Sequence, residues 1–274
     1  MDIKAFKMDG LGNDFVIIDQ RNNNIVLSKN QIIKICDRSY IGCDQLILIK
    51  KNRDIDAGLE FYNSDGSISG ACGNGTRCVA KLLSKENNKK EITVWTSSGI
   101  LKSNILGNNL VETEIGVPKT NWDEIPLSKN LDTKNLNIKI KDINNKEHTG
   151  GTSVNVGNPH IVFFINDIKN FDLKKIGPEI ENHNFFPEKC NVTLAKLVNK
   201  NLIKVKVWER GSGLTKACGT AACATAVAGK INGLIESRVE IEFTLGKLSI
   251  FIDKQNSIHM KGPVSDIQDI EIKL

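Results

Sequence analysis

Two cysteines sit in nearly the same local sequence. In GACGNGTRC, residues 70–78, Cys72 stands directly before Gly73-Asn74-Gly75. In KACGTAACA, residues 216–224, Cys218 stands before Gly219-Thr220, 146 positions downstream of Cys72. Zinc ligation, a disulfide framework, a phosphate loop and a pair of acid–base catalysts would each use thiols and glycines placed this way.

The periodicity on either side of the cysteines bears on the choice. After each one the pattern turns helical, in TRCVAKLL and in TAACATAVAGKI. Glycine lets the chain turn sharply at that point. A helix start carries unpaired N–H donors and about half a positive charge, which stabilises thiolate and binds a carboxylate or phosphate. Two such starts facing one another would grip a carboxylate and place a thiol on each face of the adjacent carbon. One thiolate then removes a proton and the other thiol returns one to the opposite face, while the carbanion charge flows toward the helix ends. Racemisation of this kind requires no cofactor.

The other chemistries have weaker support. Cys218 and Cys223 have four residues between them, but Cys72 and Cys78 have five, and no nearby histidine pair completes a tetrahedral zinc set, so no metal is expected. GNG lacks the lysine and spacing of a nucleotide phosphate loop. The seven cysteines (36, 43, 72, 78, 190, 218, 223) are odd in number and irregular in spacing, unlike a disulfide scaffold, and reduced thiols are expected. A zinc- or redox-responsive cysteine protein stands as the alternative from a different functional class. Cys78 and Cys223 read as core residues, and His148, His183 and His259 as surface residues.

The elements that must position these thiols repeat along the chain. GLGNDFVIID at 10–19 resembles NVGNPHIVFF at 155–164, which pairs Asn13 with Asn158. At an offset of 146, Gln45 falls on Asn191, Asn63 on Glu209 and Cys72 on Cys218. Polar residues recur while the apolar filler varies, as expected of two homologous halves. Strands are expected at 15–19, 46–50, 59–63, 92–96 and 110–115, then at 160–165, 203–208, 238–245 and 247–252. Helices are expected at 29–38, near 170–182, and after each special cysteine. TAACATAVAGKI is small and apolar all round, and predicts a helix buried on every face. The fold class is therefore α+β: two pseudo-symmetric domains, each a mostly antiparallel sheet around a central helix, with the active site in the cleft between them. GVPKT (116–120) and KGPVSD (261–266) mark the crossings, giving residues 1–117 plus 264–274 for the half with Cys72 and 118–263 for the half with Cys218.

Bulk properties narrow the partners. The formal charge of +5 is spread thinly and only 5% of residues are aromatic, which argues against nucleic acid. The first residues are too polar for a signal peptide, and no apolar run approaches the ~18–20 residues of a membrane helix. A cytoplasmic protein with a small-molecule substrate is expected.

GNDFVIID, CDQLI, FYNSDGS…ACGNGTRC, VGNPH, NVTL and WERGSGLTKACGTAAC together resemble the diaminopimelate epimerase family, in order and across nearly the whole chain. The resemblance implies a pyridoxal-independent homodimer that interconverts LL- and meso-2,6-diaminopimelate for lysine and peptidoglycan precursor synthesis. It implies that Cys218 accepts the proton and Cys72 donates one in the LL-to-meso direction, with His160 and Glu209 tuning the two thiols. It assigns substrate contacts to Asn13, Gln45, Asn63, Asn158, Asn191, Glu209 and Arg210, and the α-carboxylate to Gly73-Asn74 and Gly219-Thr220. The family often has glycine where this chain has Ala221, and usually an acidic residue near Leu214. Relatives with the same doubled fold are the alternatives within enzymes. Proline racemases carry histidine in place of Asn74 and have no need of Arg210, and phenazine-type isomerases lack the cysteine pair.

Overall fold

The computed structural model describes residues 2–23, 25–70, 72–107 and 109–274. The chain forms two compact units, Met1–Glu114 with Lys261–Leu274, and Ile115–Met260.

In the first unit, strand Asn13–Asp19 runs parallel to Gln45–Lys50, with Phe15 opposite Gln45. Gln45–Lys50 then runs antiparallel to Ala57–Asn63, with Gln45 opposite Asn63. Ala57–Asn63 continues in parallel to Glu91–Thr96, which turns back as Gly99–Ile105 and then Leu110–Gly116. Strand Asp2–Gly10 lies between Asn13–Asp19 and Gln268–Lys273, antiparallel to both.

The inner strands are buried on both faces, which explains why FVIID and LILIK read as continuous apolar runs rather than alternating ones. One face carries Phe15, Ile17, Ile47, Ile49, Leu59 and Phe61 into a core with Cys78, Val79 and Leu83. Those last three come from helix α2, Gly73–Asn87. The other face carries Val16, Ile18, Leu46 and Leu48 against Ile32, Ile35 and Cys36 of helix α1, Lys29–Cys36. Helix α1 opens with a capping box: the Ser28 hydroxyl accepts from the Gln31 N–H, and the Gln31 side chain accepts from the Ser28 N–H.

The second unit repeats this plan. Strand Pro159–Phe164 is parallel to Asn191–Asn199, with His160 opposite Asn191. Asn191–Asn199 is antiparallel to Leu202–Glu209, which is parallel in turn to Arg238–Phe243. Helix α3, Leu173–Glu181, covers the face bearing Ile161, Phe163, Val192 and Leu194. Helix α4, Gly219–Ile231, meets the same strands from the other side, and its residues Ala221 through Gly229 are all buried. The α+β class, the internal pseudo-symmetry and the wholly buried second helix agree with the expectations above.

Several strands carry weak sequence signals. Asp2–Gly10 is interrupted by Lys4, Lys7 and Asp9. Strands Ile138–Lys141 and Glu147–Gly150 form a two-stranded hairpin outside the main sheet, with Ile138 and Ile140 turned into the core. The helix expected near 170–182 is preceded by a single 3-10 turn at Ile168–Asn170. His148, His183 and His259 are half-buried rather than exposed, and the His148 and His259 rings lie 3.1 Å from the Asp142 and Asp253 carboxylates.

Candidate active site

Both special cysteines are N-cap residues. Cys72 has φ −140° and ψ 112°, Cys218 has φ −141° and ψ 116°, and neither side chain caps its helix. The Cys72 carbonyl accepts from the Thr76 N–H at 2.8 Å and the Cys218 carbonyl from the Ala222 N–H at 3.1 Å. The N–H groups of Gly73, Asn74 and Gly75, and of Gly219 and Thr220, therefore have no backbone acceptor within their own helices, and the Ala221 N–H is turned to the Cys218 sulfur.

Helix α2 approaches its sheet closely because residue 75 has no side chain. A Cβ there would stand 2.7 Å from Ile47 Cδ1, 3.0 Å from Phe61 Cε1 and 3.2 Å from Phe15 Cε1. The repeat places Ala221 at the equivalent position in α4. His160, Thr193 and Val207 correspond to Phe15, Ile47 and Phe61, so smaller or polar residues stand where unit one has two phenylalanines. That leaves room for the methyl group which distinguishes Ala221 from the glycine common in the family.

In the first unit Asn13 reaches Cys72, while Gln45 and Asn63 pair on the same face of the sheet. Period-two alternation puts Asn13, Gln45 and Asn63 on the face shared by Phe15, Ile47 and Phe61, toward α2. Asn13 follows a turn in which Gly12 has φ 79°, a conformation that favours glycine. The Asn13 amide nitrogen donates to the Asp44 carboxylate at 2.9 Å. A carboxylate only accepts, so Asn13 Oδ1 is turned the other way, 3.7 Å from Cys72 Sγ and 3.3 Å from Asn74 Nδ2. Asp44 is itself bound by Arg38, which also grips Asp14. Burial works to raise the Asp14 carboxyl pKa, but Arg38 and Lys7 outweigh it and hold the group below the usual range. Gln45 Nε2 donates to Asn63 Oδ1 at 2.9 Å, and Asn63 donates to Ser67 Oγ at 3.0 Å. Asn74 accepts from the buried Arg77 at 2.8 Å.

In the second unit the group gathers around Cys218, which is only 6% exposed. Thr220 Oγ1 lies 3.4 Å from its sulfur. Burial drives the thiol pKa well above its ordinary value, and the charge of the neighbouring Glu209 raises it further. The Thr220 hydroxyl and the Ala221 N–H act in the opposite sense. His160 is fully buried, and its Nε2 meets Asn158 Oδ1 at 2.8 Å. With that acceptor Nε2 carries the hydrogen, so Nδ1 carries a lone pair, and it has no hydrogen-bond partner among the described residues. Burial, helped by the Arg210 charge, pushes the His160 pKa down to about 3, so the ring is neutral at physiological pH. Asn191 donates to the Pro159 carbonyl at 3.0 Å and accepts from the Arg210 N–H at 3.0 Å. The exposed Arg210 guanidinium donates to the Glu188 carbonyl at 2.7 Å.

Of the predicted residues, Asn13 joins Cys72 and Asn74, and Gln45 pairs with Asn63. In the second unit Glu209 and Thr220 neighbour Cys218, while Asn158 pairs with His160 and Asn191 with Arg210. Sequence reading missed the residues beneath them, Asp44, Arg77 and Glu181. Arg77 lay inside the quoted motif, but only its complete burial shows that it supports Asn74. Among the described residues no group of three or more His, Cys, Asp or Glu side chains is arranged to hold a metal ion.

A sheet-and-helix unit repeated along one chain defines a class of doubled α+β folds. Solved structures sharing it include a phenazine biosynthesis protein of the PhzF family from Bacillus anthracis, with TM-score 0.69, 13% identity and all of both chains covered. Another is a hydroxyproline epimerase from Agrobacterium vitis, with TM-score 0.67 and 11% identity, over 98% of this chain and 91% of that one. Within the class, residues 5–120 and 152–267 match the family model described as diaminopimelate epimerase. The chain is 76% identical to the diaminopimelate epimerase of Pelagibacter ubique strain HTCC1062 over 274 residues, all of both chains. It is 39% identical to that of Acidiphilium cryptum strain JF-5, over 97% of this chain and 95% of that one. The chain belongs to the diaminopimelate epimerase family.

Proposed function

We propose that this protein interconverts LL- and meso-2,6-diaminopimelate without a cofactor, using Cys72 and Cys218 as the two acid–base groups. It would serve lysine and peptidoglycan precursor synthesis, as a cytoplasmic homodimer. The observation that carries the reading is the shared N-cap geometry of two cysteines in a chain of this family.

The half-sites differ in ways that suit different roles. Cys218 is protonated at rest, because burial and the Glu209 charge both oppose a thiolate. Glu209 is the base that takes its proton when a substrate enters, and the Thr220 hydroxyl and Ala221 N–H steady the thiolate that results. Asn13 Oδ1, fixed by Asp44, can accept from a Cys72 thiol, which keeps that sulfur in the donor form. In the LL-to-meso direction Cys218 removes the α-proton and Cys72 returns one to the opposite face. The first-turn N–H groups of Gly73-Asn74 and Gly219-Thr220 hold the α-carboxylate as charge flows into it. Arg210 takes the distal carboxylate as a forked partner, and Asn13, Gln45, Asn63, Asn158 and Asn191 take the remaining polar groups.

Turnover in D₂O from each pure stereoisomer tests the reading. Product is expected to gain deuterium well before recovered substrate does, and Cys72→Ala and Cys218→Ala are each expected to fold yet lose stereoinversion. Full turnover by Cys218→Ala would refute it. Activity on proline but not on diaminopimelate would move the chain to the racemase alternative.

A further inference from the structure

We infer that Glu181 is a positioning residue that sets the reach of Glu209 and Arg210. Glu181 ends helix α3, where the helix dipole presents its negative end, and its side chain is buried. A carboxylate is doubly disfavoured there. An apolar side chain would fill the space at less cost, so the two acceptor oxygens are what the position uses. One accepts from the Trp208 indole N–H at 2.7 Å and the other from the Gly211 N–H at 3.1 Å, while Lys189 Nζ stands 3.9 Å away.

Trp208 and Gly211 flank Glu209 and Arg210. The single carboxylate therefore fixes both ends of the short segment that carries the partner of Cys218 and the exposed guanidinium. Strand alternation completes the arrangement, since Trp208 faces α3 and its neighbour Glu209 faces α4. Helix α3 is held against the indole because residue 177 is glycine. A Cβ there would lie 2.6 Å from Trp208 Cγ. On the far side, Asn191 accepts from the Arg210 N–H, so the segment is tied to two different elements.

The functional consequence rests on the epimerase reading of Glu209 and Cys218, and the test separates the two. In full-length ¹⁵N-labelled protein the three tryptophans give three indole N–H signals, and Trp208→Phe identifies the one from Trp208. Glu181→Gln places an amide N–H against one of two donors, so the Trp208 signal is expected to shift while those of Trp95 and Trp122 stay. With diaminopimelate, Glu181→Gln is expected to lower kcat/KM about a hundredfold, as for a misplacement of roughly 1 Å. Trp208→Phe, which removes one arm only, is expected to cost about tenfold. Combined with Arg210→Lys, Glu181→Gln is expected to cost less than the product of the separate losses, whereas a general loss of folded protein would multiply. An unmoved Trp208 signal, activity within about twofold of wild type in either variant, or strictly multiplicative losses would overturn the inference. If wild type fails to turn over diaminopimelate, the epimerase reading falls, and the clamp stands or falls on the indole signal.

Discussion

The environment of Cys218 sets two effects of Glu209 against each other. Burial and then its charge raise the thiol pKa, yet in the proposed reaction the same carboxylate takes the proton. Glu209→Gln is therefore expected to cut turnover by about a hundredfold or more, the usual scale for general-base loss, while lowering the thiol pKa. In a Cys72→Ala background, the midpoint of the pH dependence of iodoacetamide labelling at Cys218 is expected to fall in Glu209→Gln and to rise in Thr220→Val. Equal midpoints in all three proteins would show that neither neighbour acts on the sulfur. His160 supplies a pH signature of its own. Its folded pKa is depressed, so the unfolded chain binds a proton that the native protein refuses. The stability it contributes is present above about pH 6.5 and is lost as pH falls toward 3. Urea denaturation of wild type and His160→Gln between pH 7 and pH 4 is expected to show the shallower decline in the variant.

At the level of elements, the helices that carry the cysteines are placed by what they lack. Gly75→Ala forces a methyl group against Ile47, Phe61 and Phe15, and an overpacked core costs roughly 1–3 kcal/mol. A lower thermal midpoint with a raised KM is the expected pair of effects, because α2 also carries the N–H groups proposed to hold the carboxylate. Ala221→Gly is expected to leave KM unchanged. These elements were legible in the sequence for different reasons. α4 was readable because TAACATAVAGKI has no polar face, and the inner strands because runs such as LILIK are apolar throughout. Asp2–Gly10 was not readable, since its lysines and aspartate hide a strand whose burial comes from pairing with Asn13–Asp19 and Gln268–Lys273 and from packing in the core. The N-cap placement of both cysteines was legible through the glycine contexts and the 146-residue offset. Asp44, Arg77 and Glu181 were not, because a supporting carboxylate or guanidinium looks like any surface charge until its partners are placed.

For the whole molecule, duplication has left the halves with the same ladder and different polar residues on it. Gln45 faces Asn63 in one, and the register that puts Val192 opposite Trp208 sets Asn191 against Glu209 in the other. The repeat preserved the thiols and diverged around them, which suits the unlike proton donor and acceptor of the proposed reaction. The first unit also depends on the far end of the chain: Ile272 is fully buried there, and the Tyr40 hydroxyl bonds both the carbonyl and the N–H of Lys273. Removal of residues 268–274 is expected to strip hydrogen-exchange protection from Asp2–Gly10 and Asn13–Asp19 while sparing Asn191–Asn199. Equal loss in all three strands would show that the units do not melt separately.

The excursion of the chain through the second unit before it returns to the first has a consequence during synthesis. On the ribosome, the half holding Cys218 has all its strands available once Met260 has emerged, whereas the half holding Cys72 must wait for Gln268–Lys273. The earlier-translated thiol is thus the later one to find its finished surroundings, and on the reading proposed above a stalled or clipped nascent polypeptide would carry one competent sulfur and no stereoinverting pair.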